Sequence, residues 1–124
     1  MVAEALTFAT ASLLHFGTTL SLGFATIHDP FRGAAVPEAI IAAALVGGAV
    51  IVLAAPHGSW GVALTTTLFA TAGVIIGLSF ILGGSVSRPG DLLYHILILV
   101  ALLATIGLEI TTPARTALRK GARS

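Results

Sequence analysis

The sequence predicts an all-α integral membrane protein: a bundle of four transmembrane helices arranged as two hairpins with short loops. Three observations carry this expectation. Apolar runs of crossing length cover residues 2–26, 37–55, 60–84 and 91–112, and at 1.5 Å rise per residue about 20 residues span a hydrocarbon core of roughly 30 Å. The composition, 56% hydrophobic and 9% charged, is far more apolar than that of a soluble domain. The runs also lack the alternation of polar and apolar residues that a barrel strand needs, and in lipid a helix is then the form that satisfies its own backbone. The 124 residues read as one membrane domain, with crossings at about 3–26, 37–55, 60–84 and 91–112 and a basic tail over 113–124.

Each boundary has a local cause. Glu4 stands where a secretory signal carries Lys or Arg, and the first run is too long for a signal core, so the first helix is expected to be retained. His28, Asp29, Pro30, Phe31, Arg32 and Gly33 form a polar turn. Pro37 then suits a first helical position, where a missing amide costs nothing, and Glu38 complements the first turn. Trp60 opens the third run after Pro56, His57, Gly58 and Ser59, and Gly83-Gly84 closes it. Asp91 is a good cap for the fourth helix, which Pro113 is expected to end. Trp60 and Tyr94 are expected at the membrane boundaries, where amphipathic rings are favoured.

Orientation follows from basic residues. The tail holds Arg115, Arg119, Lys120 and Arg123, against Arg32 and Arg88 in the opposite loops, which predicts a multi-pass protein of the cytoplasmic membrane with both termini cytoplasmic. The preference for Arg over Lys, with abundant Ala, Gly and Val, fits a bacterial or archaeal high-GC genome. The chain has no cysteine, which removes disulfides, thiolate metal sites and cysteine nucleophiles. The tail's charges are too few and dispersed for nucleic acid, so the expected partners are the lipid bilayer and either a second copy of the chain or a larger membrane complex.

Small residues predict where helices meet. Gly73 and Gly77 make a GxxxG pair in the third helix, and Gly17 and Ser21 a small-xxx-small pair in the first, serving either packing within the chain or a dimer. The words Phe8-Ala9-Thr10-Ala11 and Phe69-Ala70-Thr71-Ala72 leave open whether the two hairpins are duplicates.

Ionisable residues carry the functional reading, because each is costly in hydrocarbon unless paired or wet. His28, Asp29, Glu38, Asp91 and His95 are expected at the outer level, Glu4 and Glu109 at the inner level with Arg115 and Arg119, and His15 alone near the midplane. Asp91 and His95, four apart, share a helix face, and with Glu38, His28 and Asp29 they form a candidate outer cluster, either ligands for a divalent metal, with Glu38, Asp91 and His95 as the metal candidates, or a carboxylate–imidazole relay for protons. His15 is either a proton relay or a satisfied polar contact. Acids at helix starts also complement the macrodipole without any function. No catalytic residues and no cofactor are assigned, and an enzyme is not expected. Three classes of function remain: a structural or accessory membrane subunit, a small transporter or channel for ions, protons or solutes, and a metal- or cofactor-binding protein. The first predicts polar residues all explained by caps and pairs. The second predicts a wet path from the outer acids through His15 to the threonines of the third helix, and the third predicts convergence of Glu38, Asp91 and His95.

Overall fold

The computed structural model describes residues 1–84 and 89–119, without the side chains of residues 89, 112, 113, 118 and 119. Helices dominate: α1 (Val2–His15), α2 (Arg32–Ala54), α3 (Trp60–Leu82), α4 (Pro89–Glu109) and α5 (Thr112–Arg119). Between α1 and α2 lies a short antiparallel hairpin, β1 (Leu20–Ser21) and β2 (Thr26–Ile27), in which Leu20 faces Ile27 and Ser21 faces Thr26. Among the described residues the fold is therefore all-α apart from this hairpin. Three helices, Arg32–Ala54, Trp60–Leu82 and Gly90–Glu109, are long and apolar enough to cross a membrane.

The first crossing differs from expectation. α1 has 14 residues and stops at His15 rather than running to residue 26. Its end is a Schellman cap: the Thr18 amide donates to the Leu13 carbonyl at 3.0 Å and the Gly17 amide to that of Leu14 at 2.9 Å, with Gly17 at φ +98°. Only glycine takes that conformation without a Cβ penalty, so Gly17 ends the helix. Gly17 and Ser21 consequently form no packing stripe, since one closes α1 and the other lies in β1.

The chain leaves α1, turns through the hairpin and returns to its starting level, where the Phe31 amide donates to the His15 carbonyl at 2.9 Å. α2 then begins at Arg32, five residues before the expected Pro37, so Pro37 lies inside the helix. The proline forfeits one backbone bond. The bond lost is the one to the Gly33 carbonyl; independently, the Ser12 hydroxyl ties this first turn to α1 by donating to the Ala35 carbonyl at 2.8 Å. At the other end of the chain α4 stops at Glu109, and residue 113 belongs to the first turn of α5 rather than ending the preceding helix. Arg88, Lys120 and Arg123 lie outside the described residues.

α1 packs on α2, α2 on α3 and α3 on α4, with a narrower contact between α1 and α4 closing the bundle. The core is small-sided: Ala5, Phe8, Ile41, Ala42, Leu45, Ala70, Val74, Ile98 and Leu102. Gly73 and Gly77 act within the chain, because a Cβ on Gly73 would lie 2.6 Å from Ile41 Cδ1 and one on Gly77 would lie 2.7 Å from His95 Nε2. Gly48 is a third close approach, where α2 meets Thr66 of α3 and Met1. The two hairpins are not structural duplicates: α3 has 23 residues to the 14 of α1, and Phe8 is buried where Phe69 is exposed.

The glycine contacts give a test. Gly48→Ala should cost about 1–3 kcal/mol by overpacking, because its Cβ would meet Thr66 Oγ1 at 2.7 Å. Gly47→Ala, with open space around it, should be neutral or gain up to about 1 kcal/mol of helix propensity. Denaturant unfolding in mild detergent, followed by circular dichroism, measures both.

Candidate functional site

The cap at Gly17 decides the site, because it leaves His15 at the end of α1 instead of at mid-depth. His15 Nδ1 donates to Glu38 Oε2 of α2 at 2.6 Å, with both residues 4% exposed. Its other nitrogen, Nε2, lies 3.6 Å from Asp29 Oδ2 on the segment entering α2. Asp91, in the first turn of α4 and buried, completes the group: one ligand atom from each of His15, Asp29 and Asp91 lies within 4.8 Å of the others. The edge of Phe31 packs against the His15 ring, centroids 5.9 Å apart. The end of α1, the stretch that enters and begins α2, and the start of α4 thus meet at one end of the bundle.

The group adjoins a cavity of about 340 Å³, whose walls include Phe31, Glu38, Gly73, Gly77, Asp91 and His95. Two polar atoms are buried here without a hydrogen-bond partner among the described residues, Glu38 Oε1 and the Tyr94 hydroxyl. Tyr94 is therefore no boundary anchor. Its ring packs edge-on against Phe8, at 6.3 Å, and against His95, at 5.1 Å. Three carboxylates, Asp29, Glu38 and Asp91, thus gather about one imidazole.

The expected outer residues thus divide. Glu38, Asp91 and Asp29 come together, and His15 joins them from the level at which it was not expected. His95 lines the cavity but its Nδ1 bonds the Asp91 carbonyl one turn back, at 2.7 Å, and its Nε2 faces Gly77, so it stands beside the centre rather than in it. His28 turns away to the Thr19 hydroxyl, 3.2 Å distant and exposed. The three side chains whose ligand atoms lie together are His15, Asp29 and Asp91, with Glu38 behind the imidazole, whereas the candidate trio Glu38, Asp91 and His95 meets along the cavity wall. Ser12 and Tyr94 are contributors the sequence did not mark. Ser12 lies three residues before His15, on the same face of α1, and that spacing is the signal that was available.

The opposite end holds a separate polar group. Glu4 accepts a hydrogen bond from the Thr105 hydroxyl and pairs with the Met1 ammonium. Thr67 donates to Glu109 Oε1 at 2.9 Å, and Trp60 Nε1 to the Glu109 carbonyl at 2.9 Å. Arg115 stacks over Trp60 at 5.0 Å, so the expected pairing of these acids with Arg115 gives way to hydroxyls, the terminal ammonium and a ring. Between the two polar ends Phe8, Leu45 and Leu102 are packed with at most 2% exposure. The α3 threonines turn inward to their own helix, Thr67 bonding the Ala63 carbonyl and Thr71 that of Thr67.

Removing one member of the His15–Glu38 pair strands the other in a buried place. His15→Leu should destabilise the protein by about 3–5 kcal/mol, and His15→Leu/Glu38→Leu should recover most of that loss. Additive losses in this double-mutant cycle, measured by denaturation in detergent, would show the two side chains to be uncoupled.

No family model matches this sequence, and neither a curated protein nor a solved structure shows significant similarity to it.

Proposed function

We propose that this chain is a four-pass protein of the cytoplasmic membrane that binds a small ligand at its outer face, as an accessory or sensing component rather than a conduit. The observation that carries the reading is the buried His15–Glu38 pair, at 2.6 Å, set beside Asp91 in a cavity. Caps and surface pairs do not account for it. Two carboxylates and an imidazole held out of bulk water are costly unless the site does something with their charge.

Three helices supply full crossings by length and composition. α1, at about 21 Å, falls short of a core of roughly 30 Å. The hairpin beyond it takes up the remaining depth, with Leu22, Phe24 and Ile27 exposed and suited to a headgroup layer. Large side chains on every long helix face outward, among them Val46, Val50, Ile76, Leu97 and Leu103. Lipid covers these faces, or a second copy or a larger complex does. Arg115 and Arg119 favour the α5 end as the cytoplasmic one.

A transporter would need a wet route between the polar ends. Phe8, Leu45 and Leu102 fill that route, and from Glu38 to Leu45 along α2 is about 10 Å. Ligand binding at one face suits this arrangement better than passage.

The chain's lack of cysteine makes the topology directly testable. Single-cysteine variants at the exposed positions Thr26, His57 and Thr116 should divide cleanly: the first labels with a membrane-impermeant maleimide on intact cells, the other two only after permeabilisation. Proteoliposomes should hold an imposed pH gradient as long as protein-free vesicles do. Labelling of Thr26→Cys from the same side as His57→Cys would overturn the four-pass reading, and rapid collapse of the gradient would favour a conduit.

A further inference from the structure

We infer that His15, Asp29 and Asp91 form a binding site for a divalent first-row metal ion, with Glu38 orienting the imidazole from behind. The inference deepens the proposed function, on which it rests, by assigning the ligand of the outer site.

The arrangement of His15 is the first reason. A metal-binding histidine characteristically donates one ring N–H to a carboxylate and turns the other nitrogen to the metal, which fixes the tautomer and makes the free nitrogen more basic. His15 does this: Nδ1 is taken by Glu38 at 2.6 Å, and Nε2 points toward Asp29 Oδ2 at 3.6 Å. A pair formed only for packing would not need further acids on the second nitrogen. Asp29 and Asp91 supply them from two other segments, all three ligand atoms lying within 4.8 Å of one another.

Spacing and access agree. Ligand atoms in a tetrahedral shell of about 2.1 Å bonds stand roughly 3.4 Å apart, so the group must tighten by about an ångström around an ion. Asp29 can supply that movement, because its side chain is 39% exposed and sits on the link between the hairpin and α2, whereas His15 and Asp91 are buried in helices. The same exposure gives an ion its way in. Glu38 is the second, independent sign. Its Oε1 is buried with no hydrogen-bond partner among the described residues, and Glu38 also lines the cavity beside the group, so this polar atom is one that protein contacts do not account for.

Donor chemistry selects the class of ion. One imidazole with two carboxylates suits manganese, ferrous iron or zinc, whereas magnesium and calcium prefer oxygen alone. With three side chains bound, such an ion keeps an open position for water or a small anion.

The full chain, purified in mild detergent and stripped with chelator, is dialysed against Zn²⁺ or Mn²⁺ alone and analysed for bound metal. The expected result is one equivalent per chain. Asp91→Asn and His15→Gln should weaken binding by at least about 100-fold, and Glu38→Gln, which perturbs only the imidazole's orientation, by about 10–100-fold. His28→Ala and His57→Ala should leave it unchanged. Pulsed electron paramagnetic resonance of the Mn²⁺ form should show one imidazole nitrogen, lost in His15→Gln. Should His15→Gln fail to assemble, the near-isosteric Asp91→Asn and Asp29→Asn decide. No stoichiometric metal in the wild-type protein, or undiminished binding in Asp91→Asn, overturns the metal site while leaving cysteine labelling at residues 26, 57 and 116 as it was. Labelling of residues 26 and 57 from the same side would instead sink the four-pass reading.

Discussion

The bond between His15 and Glu38 is the constraint around which one half of the molecule is arranged. It joins the last residue of α1 to the second turn of α2, and everything nearby keeps that meeting in register. The Phe31 amide returns to the His15 carbonyl, and the Ser12 hydroxyl holds the Ala35 carbonyl one turn below. In water each of these bonds would contribute modestly. Where hydrocarbon replaces water, the penalty for an unmade bond rises, and a polar pair dictates which helix surfaces face each other.

The remainder of the bundle makes room for that pair. Without a hydrophobic drive between helices in lipid, close packing has to supply the adhesion, and close packing needs small residues. Gly73 admits Ile41, Gly77 admits His95 and Gly48 admits Thr66. The Ala residues of the core, Ala5, Ala42 and Ala70, bring α1, α2 and α3 near enough for Phe8 and Leu45 to fill the centre. Polar chemistry is thereby confined to the two ends. At the end opposite His15 the Trp60 indole donates to the Glu109 carbonyl, and the Thr67 hydroxyl, shared with the Ala63 carbonyl, reaches Glu109 Oε1, fastening the start of α3 to the finish of α4.

How much of this was legible in the sequence depends on one glycine. The three long helices follow directly from runs too apolar to be anything else, and their observed ends fall within a few residues of those expected. Asp29, Glu38 and Asp91 were recognisable as a cluster because each lies next to a turn signal. His15 was not, since hydrophobicity continues past it through Phe16, Leu20, Leu22 and Phe24 and hides the end of the helix. The stop is written in Gly17 followed by two β-branched threonines, and a reading that weighed backbone conformation above hydropathy would have lifted His15 to the level of Glu38. Pro37 misled in the opposite direction: its preference for a first turn is real, yet α2 begins ahead of it and goes without the bond to the Gly33 carbonyl. Tyr94 shows the limit of the interface rule, because its ring was needed beside Phe8 more than at the surface.

The apolar layer of Phe8, Leu45 and Leu102 has an electrical consequence. In a membrane crossed by this bundle, the transmembrane voltage falls mainly across that dry, low-dielectric stretch, not across the polar ends. A full traverse is worth about 2.3 kcal/mol per elementary charge per 100 mV, but a charge settling among His15, Asp29 and Asp91 crosses only a small share of the field. In such a membrane the polar group around His15 would thus be insulated from the potential, and any occupancy there would answer to the chemistry of the medium at its end of the bundle.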